Sequence, residues 1–215
     1  MANPIFWKNV GVDIQTALAS AITISAISKA SPGVVTYTGT DPTNGDYVLI
    51  TASGMTEVND RAFRVANVNA AANTFELEGE NTTDYNTFTS GSFQVVTFGS
   101  SFGILQTFDV SGGDPEYADV TTIHDSIRKR APTVVSPMSI TSNAIFDPSD
   151  AGYIEANRAY KAQGKRVFKL RFGTTAKMCF NGFVSAPGTA RGQAQGVVQT
   201  ALAIEVQNFP SFWST

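Results

Sequence analysis

The sequence predicts a mainly β fold: a β-sandwich with one flanking α-helix, interrupted by a small β-barrel insert. Three observations carry this expectation. Short β-branched and aromatic segments recur through residues 22–97, each bounded by Gly, Pro, Asn or Asp. A second set, over residues 165–208, alternates apolar and polar side chains as strands with one buried face do. Between the two sets, residues 147–164 combine a helix start signal with apolar spacings of three and four. The expected organisation is a sandwich built from residues 1–21 plus 98–215, with the barrel as residues 22–97.

In the first part, Ile22 to Ser25 and Val34 to Thr38 read as strands. Asn44-Gly45, within a turn-rich segment, gives a type I′ hairpin signal before the strand Tyr47 to Thr51. Met55 to Asp60 reads as an irregular lip, followed by strands at 62–68, 73–78 and 92–97. Phe102 to Val110 reads as one strand, broken by Ser111 to Pro115, and residues 111–132 as a long, poorly packed loop. Ser139 to Phe146 resumes β character. Asp147 is expected to cap a helix with Pro148 at its first position; Tyr153, Ala156 and Tyr160 mark its apolar face, and Gly164 its end. In the strand Lys165 to Phe172, Phe168, Leu170 and Phe172 face inward, with Lys165, Lys169 and Arg171 on a wet face. A turn at Gly173-Thr174-Thr175 leads to a return strand, 177–185, with Gly182 as a candidate bulge. The last strand puts Val198, Leu202, Ile204 and Val206 on one face and Gln199, Ala201, Ala203, Glu205 and Gln207 on the other.

Composition narrows function. Only 15% of the 215 residues are charged, against roughly 25% for an average soluble domain. With 15 Phe, 6 Tyr and 2 Trp the chain has too many aromatics for a solvated coil. A net charge of -3 excludes a protein that grips phosphates by bulk charge. The charge is unevenly spread: residues 1–100 hold 4 basic and 9 acidic side chains, residues 101–215 hold 11 and 9. No apolar run approaches the roughly 20 residues of a membrane helix. Met1 to Pro4 lacks the basic-then-apolar pattern of a secretory signal.

The chemical inventory is thin. Cys179 is the lone cysteine and His124 the lone histidine, so neither a disulfide nor a Cys/His zinc site can be assembled. A Cys179–His124 nucleophilic pair is arithmetically open, but a small strand residue and a loop residue describe them better. His124-Asp125-Ser126 holds the letters of a catalytic triad, yet adjacent side chains point in different directions. Capping accounts for Asp147 and Asp150, and Glu155 reads as ordinary on a solvated helix face. Asp41, Asp46 and Asp60 lack calcium-loop spacing, and no phosphate-cradling glycine loop precedes a helix. The cluster Arg128-Lys129-Arg130 is a weak candidate for phosphate contact and a better one for a loop or intersubunit ion pair. No catalytic residue, cofactor or metal is expected.

Several segments in order resemble a known family. Asp119 to Thr122 with His124-Asp125-Ser126, the junction NAIFDPSD (143–150), the helix 150–163, the strand VFKLRF, the arm MCFNGFVS and the closing strand VVQTALAIEVQNF are similar to the major tail tube proteins of long-tailed, non-contractile bacteriophages. That resemblance covers residues 1–21 and 98–215. Residues 22–97, with ITISAISKASPGVVTYT, NGDYVLITASGMTEVNDRAFRV, TFELEG and TDYNTFTSGS, resemble instead the small β-barrel inserted in ubiquitin-activating enzymes, without a catalytic cysteine.

The resemblance implies a structural virion protein, not an enzyme. Its copies would assemble in the host cytoplasm into rings, generally hexameric, that stack into the tail tube through which double-stranded DNA passes without specific binding. Tape measure and terminator proteins would be further partners, and no membrane is involved. Asp114, Glu116, Asp119, His124, Asp125, Arg128, Lys129 and Arg130 are candidates for an intersubunit or ring-stacking loop. Gln199, Ala201, Ala203 and Glu205 are candidates for the lumen. The alternatives are another tail component, such as a terminator, or an adsorption module binding a host surface through the barrel; an enzyme stands last.

Overall fold

The computed structural model describes residues 10–173 and 176–214. The readings of Met1 to Pro4 and of Thr174 and Thr175 lie outside the described residues. The chain is mainly β, with a single α-helix and a closed six-stranded barrel among the described residues.

The barrel comprises β2 (Ile22–Ile27), β3 (Val34–Thr38), β4 (Tyr47–Ser53), β5 (Arg61–Asn69), β6 (Thr74–Leu77) and the first half of β7 (Ser90–Phe102). Its strand order is β2-β3-β6-β5-β4-β7, and β2 pairs with β7 to close the ring. Closure lets every inward position bury: Val35, Tyr37, Val48, Ile50, Phe63, Phe75, Leu77 and Phe93 form one core. Tyr37, Phe75 and Phe93 meet edge-on or tilted at 5.2–5.7 Å between ring centroids. Gly91 permits the closure, because a Cβ there would sit 2.4 Å from the Thr51 carbonyl. Met55 to Asp60 holds a short 3-10 turn, Thr56–Val58. Asn44-Gly45 is not a hairpin turn: β3 and β4 are not paired, Asn44 has no positive φ, and Asp46 holds the bend by accepting from Thr43 N and Oγ1.

The remaining strands continue the same sheet from β7 through β1 (Val10–Leu18), β12 (Lys165–Phe172), β13 (Ala176–Ser185), β14 (Gln199–Val206), β11 (Met138–Ile145) and β8 (Asp109–Ser111). A short strand, β15 (Ser211–Ser214), pairs with β13. These strands curl around a second core that includes Ile14, Ile140, Phe168, Leu170, Phe180, Leu202 and Ile204. The helix α1 (Ala151–Ala162) covers that core through Tyr153, Ala156 and Ala159. It approaches closely because Gly152 has no side chain: a Cβ there would lie 2.9 Å from Phe102 N. Its cap is Asp150, not Asp147; Asp150 Oδ1 accepts from Tyr153 N at 2.8 Å, while Asp147 closes the preceding turn onto Ser149. Gln163, in the left-handed region at φ 51, ends the helix one residue before Gly164. Gly182 is no bulge, since the β12–β13 register runs through it without a shift; it is a close approach to the Glu205 carbonyl.

Phe102 to Val110 is not one strand. β7 ends at Phe102, residues 103–108 keep only an isolated bridge from Leu105 to Ala144, and β8 begins at Asp109. The long loop expected after it is largely a hairpin: β9 (Pro115–Asp119) pairs with β10 (Arg130–Val135) in a separate two-stranded sheet.

Where barrel meets frame, the side of β12 expected to be wet is wet only at its ends: Lys165 and Arg171 are exposed, but Val167 is buried and Lys169 half-buried. Val167 and Cys179 pack with Ala62, Val96 and Trp213, flanked by Tyr47 and Phe98. Lys169 Nζ lies 5.0 Å above the Tyr47 ring and 4.6 Å above Phe98, and 3.0 Å from Asp13. Arg171 Nη2 and Nε donate to the same carboxylate at 3.0 and 3.1 Å, as does Ser101 Oγ at 2.5 Å. Burial opposes ionisation of Asp13, but the hydrogen bonds from Ser101, Lys169 and Arg171 outweigh it and hold its pKa below the usual 3.8. Because the folded pKa is depressed, this stabilisation is complete above the unfolded value and is lost as pH falls through the folded one. Asp13→Asn leaves two cations facing a neutral amide and is expected to cost roughly 2–4 kcal/mol at pH 7 in denaturant unfolding. The gap to the wild type should narrow below about pH 4, and a gap independent of pH would contradict the assignment.

Candidate assembly surfaces

Two surfaces carry the residues singled out by sequence. The first is the arm, residues 109–137, in which β9 and β10 bond only to each other. The whole predicted set Asp114, Glu116, Asp119, His124, Asp125, Arg128, Lys129 and Arg130 lies on it; seven of the eight are exposed, and Asp125 is half-buried. The structure separates them along its length. Asp114 and Glu116 stand at the root, where Ser136 N and Oγ donate to the Asp114 carbonyl at 2.9 Å. Asp119 to Arg130 form the tip. There Asp125 accepts from Thr122 N and Oγ1 and pairs with Lys129, while Asp119 accepts from Thr121 N and pairs with Arg128 at 3.2 Å. Bonds from Lys129 and Thr122 hold the Asp125 carboxyl below the ordinary carboxylate value; bonds from Thr121, then Arg128, do the same for Asp119.

With the Asp125 carboxylate so engaged, no His124–Asp125–Ser126 relay forms. Cys179 lies fully buried in the junction, away from the exposed His124 of the tip, so the two do not meet. Glu155 is likewise not a solvated residue: it is buried, and accepts from Arg166 Nε at 3.1 Å. Among the described residues no cluster of three or more His, Cys, Asp or Glu could hold a metal ion, and no helix is long and apolar enough to cross a membrane.

Sequence reasoning missed what the arm exposes. Ile123 is 96% exposed and Ile127 75%, with Tyr117, Val120, Val134 and Val135 also uncovered. A groove of about 570 Å3 opens at the arm's root, walled by Val134, Val135, Pro137, Met138, Phe209 and Phe212. The signal available was the recurrence of β-branched and aromatic residues in a segment without an apolar face, which is how a strand reads when its cover lies on another molecule.

The second surface is the outer face of β11 and β14. Register sets Gln199, Ala201, Ala203 and Glu205 opposite Ile145, Asn143, Thr141 and Ser139. The face is neutral apart from Glu205, whose Oε1 accepts from Ser139 Oγ at 2.8 Å, and Gln199 donates to Gln106 at 2.6 Å. Leu202, Ile204 and Val206 point the other way, into the core under α1. This face continues through Phe183 on β13 to Lys165 on β12, so it shares a side of the sheet with the barrel junction. Strand twist turns its two ends apart by roughly 60–75° over three steps.

Burial pushes the Cys179 thiol up, with Lys169 pulling against it, so the thiolate that would react is suppressed. A thiol reagent at pH 8 should therefore leave the folded protein unlabelled and react with one thiol per chain on unfolding; rapid labelling of the native protein would show that the junction opens.

Residues 53–215 match the family model described as phage tail tube protein. The match begins at the last residue of β4 and takes in the rest of the barrel as well as β7 to β15. No curated protein matches the chain.

Proposed function

The chain belongs to the phage tail tube protein family, a structural component of the virion tail, and we propose that its copies form stacked hexameric rings of the kind the sequence resemblance implies. The observation that carries this reading is the arm. A two-stranded hairpin is marginal on its own, and one that exposes Ile123, Ile127 and Tyr117 needs cover from a neighbour. The charged residues of its tip are engaged mainly with each other, so Arg128 to Arg130 face a neighbouring subunit in this reading and not DNA.

The outer face of β11 and β14 lines the lumen in the same proposal. A conduit should not hold its cargo, because each phosphate contact adds salt-sensitive affinity. Gln199, Ala201 and Ala203 offer no charge, and Glu205 repels phosphate. Double-stranded DNA then passes during ejection without specific binding. Tape measure and terminator proteins complete the tail, and subunits assemble in the host cytoplasm. The barrel of residues 22–97 sits as a module on the tube's exterior. Excising it by joining Ala21 to Phe98 removes two ladder pairs, Leu18 with Val96 and Ala17 with Thr97, so a cut that keeps Val96 and Thr97 is the better design.

Concentrated protein is expected to polymerise into hollow tubes visible by negative-stain electron microscopy. Tubes of Ala201→Lys/Ala203→Lys, polymerised with short duplex DNA, should retain nuclease-protected DNA at low salt and lose it as salt rises, whereas wild-type tubes retain none. Nuclease-sensitive DNA on the double variant would place this face on the outside.

A further inference from the structure

We propose that the arm's tip docks on a second copy of this chain, with Ile123 and Ile127 seated in the apolar groove at the root of that copy's arm. The inference rests on the tube reading and names the partner of one surface in it. The knob and the groove are both uncovered in the single chain. Ile123 and Ile127 are the most exposed large apolar side chains, while Phe209 and Phe212, in the far wall of the groove, are 59% and 61% exposed. The tip cannot reach its own groove. The ladder from Arg130 opposite Asp119 to Val135 opposite Pro115 holds the two apart by roughly 17 Å of extended strand.

A knob at one end of an element and its socket at the other define a head-to-tail contact. Each copy then gives a tip and receives one, which is how a heterologous interface closes rings or builds filaments. Charge follows the same polarity. From Asp109 to Glu116 the root carries three acids, Asp109, Asp114 and Glu116, and no cation, whereas Arg128 to Arg130 place three cations on the tip beside Asp119 and Asp125. Arg130, Asp114 and Glu116 take no ion pair among the described residues, so the cation left over at the tip meets the acids left over at the root.

The groove is also held in shape before anything enters it. Arg61, buried in the barrel, donates from Nε to the Phe209 carbonyl at 3.0 Å and is itself fixed by Glu80 at 2.7 Å. Asn208 Nδ2 donates to the Asn59 carbonyl at 2.7 Å, and Phe209 N donates to Asn208 Oδ1 at 2.8 Å. These bonds fasten the wall that bears Phe209 to the barrel, while the opposite wall is the arm's own root. A tip seated between them fixes the angle of the receiving arm, so a copy that has received a tip presents its own in a defined direction. That coupling favours growth over nucleation.

Two variants test the docking. Ile123→Asp/Ile127→Asp alters side chains that are 96% and 75% exposed in the folded chain, so its melting temperature should match the wild type. Its critical concentration for polymerisation should rise roughly tenfold to a hundredfold, the loss expected for burying one or two aliphatic side chains. Ile123→Cys/Phe209→Cys should form disulfide-linked ladders of chains when assembled tubes are oxidised, with buried Cys179 silent. Tubes of the aspartate variant at the wild-type critical concentration, or oxidised cysteine-variant tubes that stay unlinked, overturn the docking and leave the tube reading standing. A wild type that never polymerises overturns the tube reading, and the docking with it.

Discussion

A single strand shared by the barrel and the frame constrains the rest of the molecule. β7 runs for 13 residues, Ser90 to Phe102; its first half closes the barrel against β2 and β4, and its second half pairs with β1. Backbone hydrogen bonds therefore fix the direction of the barrel relative to the frame, and the side chains between them must fill what that direction leaves. They do so with Val96, Val167, Cys179 and Trp213 under the rings of Tyr47 and Phe98. The register of β1 follows, since Asp13 must stand where Lys169 and Arg171 converge and Gln15 must accept from Val167 N. The barrel is thereby joined to the frame along a ladder and a core, and Lys169, lying over Tyr47 while paired with Asp13, links that core to the charge network of the frame.

This junction also changes the meaning of the low charge content. A chain with 15% charged residues suggests a surface buried between subunits. Part of its charge is in fact engaged within one copy, some of it buried. Arg61 with Glu80, Arg64 with Glu78, Arg166 with Glu155 and Lys165 with Asp60 pair alongside the Asp13 network. On the two surfaces described, the remaining charge is sorted: a face over β11 and β14 that is neutral apart from Glu205, and an arm with acids alone at its root and cations beside Asp119 and Asp125 at its tip. In the proposed tube, an assembly interface and a passage for a polyanion place opposite demands on charge, and the two surfaces would keep them apart.

The β class, the barrel strands, the helix and the C-terminal strands were legible because each buries one face and so carries a period of 2 or 3.6. The helix cap was misassigned because Asp147 and Asp150 both precede the apolar run, and only geometry tells a turn from a cap. On the Lys165/Lys169/Arg171 face the two ends are exposed as expected, but the cover over Lys169 was not legible, because alternation reports that one side of a strand is polar, not what lies against it. β1 had an alternating signal in Val10, Val12 and Ile14 that its polar partners Asp13 and Gln15 obscured, and both faces proved buried. The arm residues read as a loop because Pro132 within β10 and the want of an apolar face hide a hairpin whose apolar side chains stay uncovered in the single chain. The groove was not legible at all, since it joins residues 112–138 to 206–212 and exists only after folding.

In the proposed tube, one curled sheet presents its β11–β14 face to the interior and carries the barrel outward. A helical reconstruction of the polymerised wild-type protein by electron cryomicroscopy tests it most directly. The account predicts Gln199, Ala201, Ala203 and Glu205 at the smallest radius and the barrel at the largest. A lumen ringed by Arg128, Lys129 and Arg130, or lined by the barrel, would contradict it.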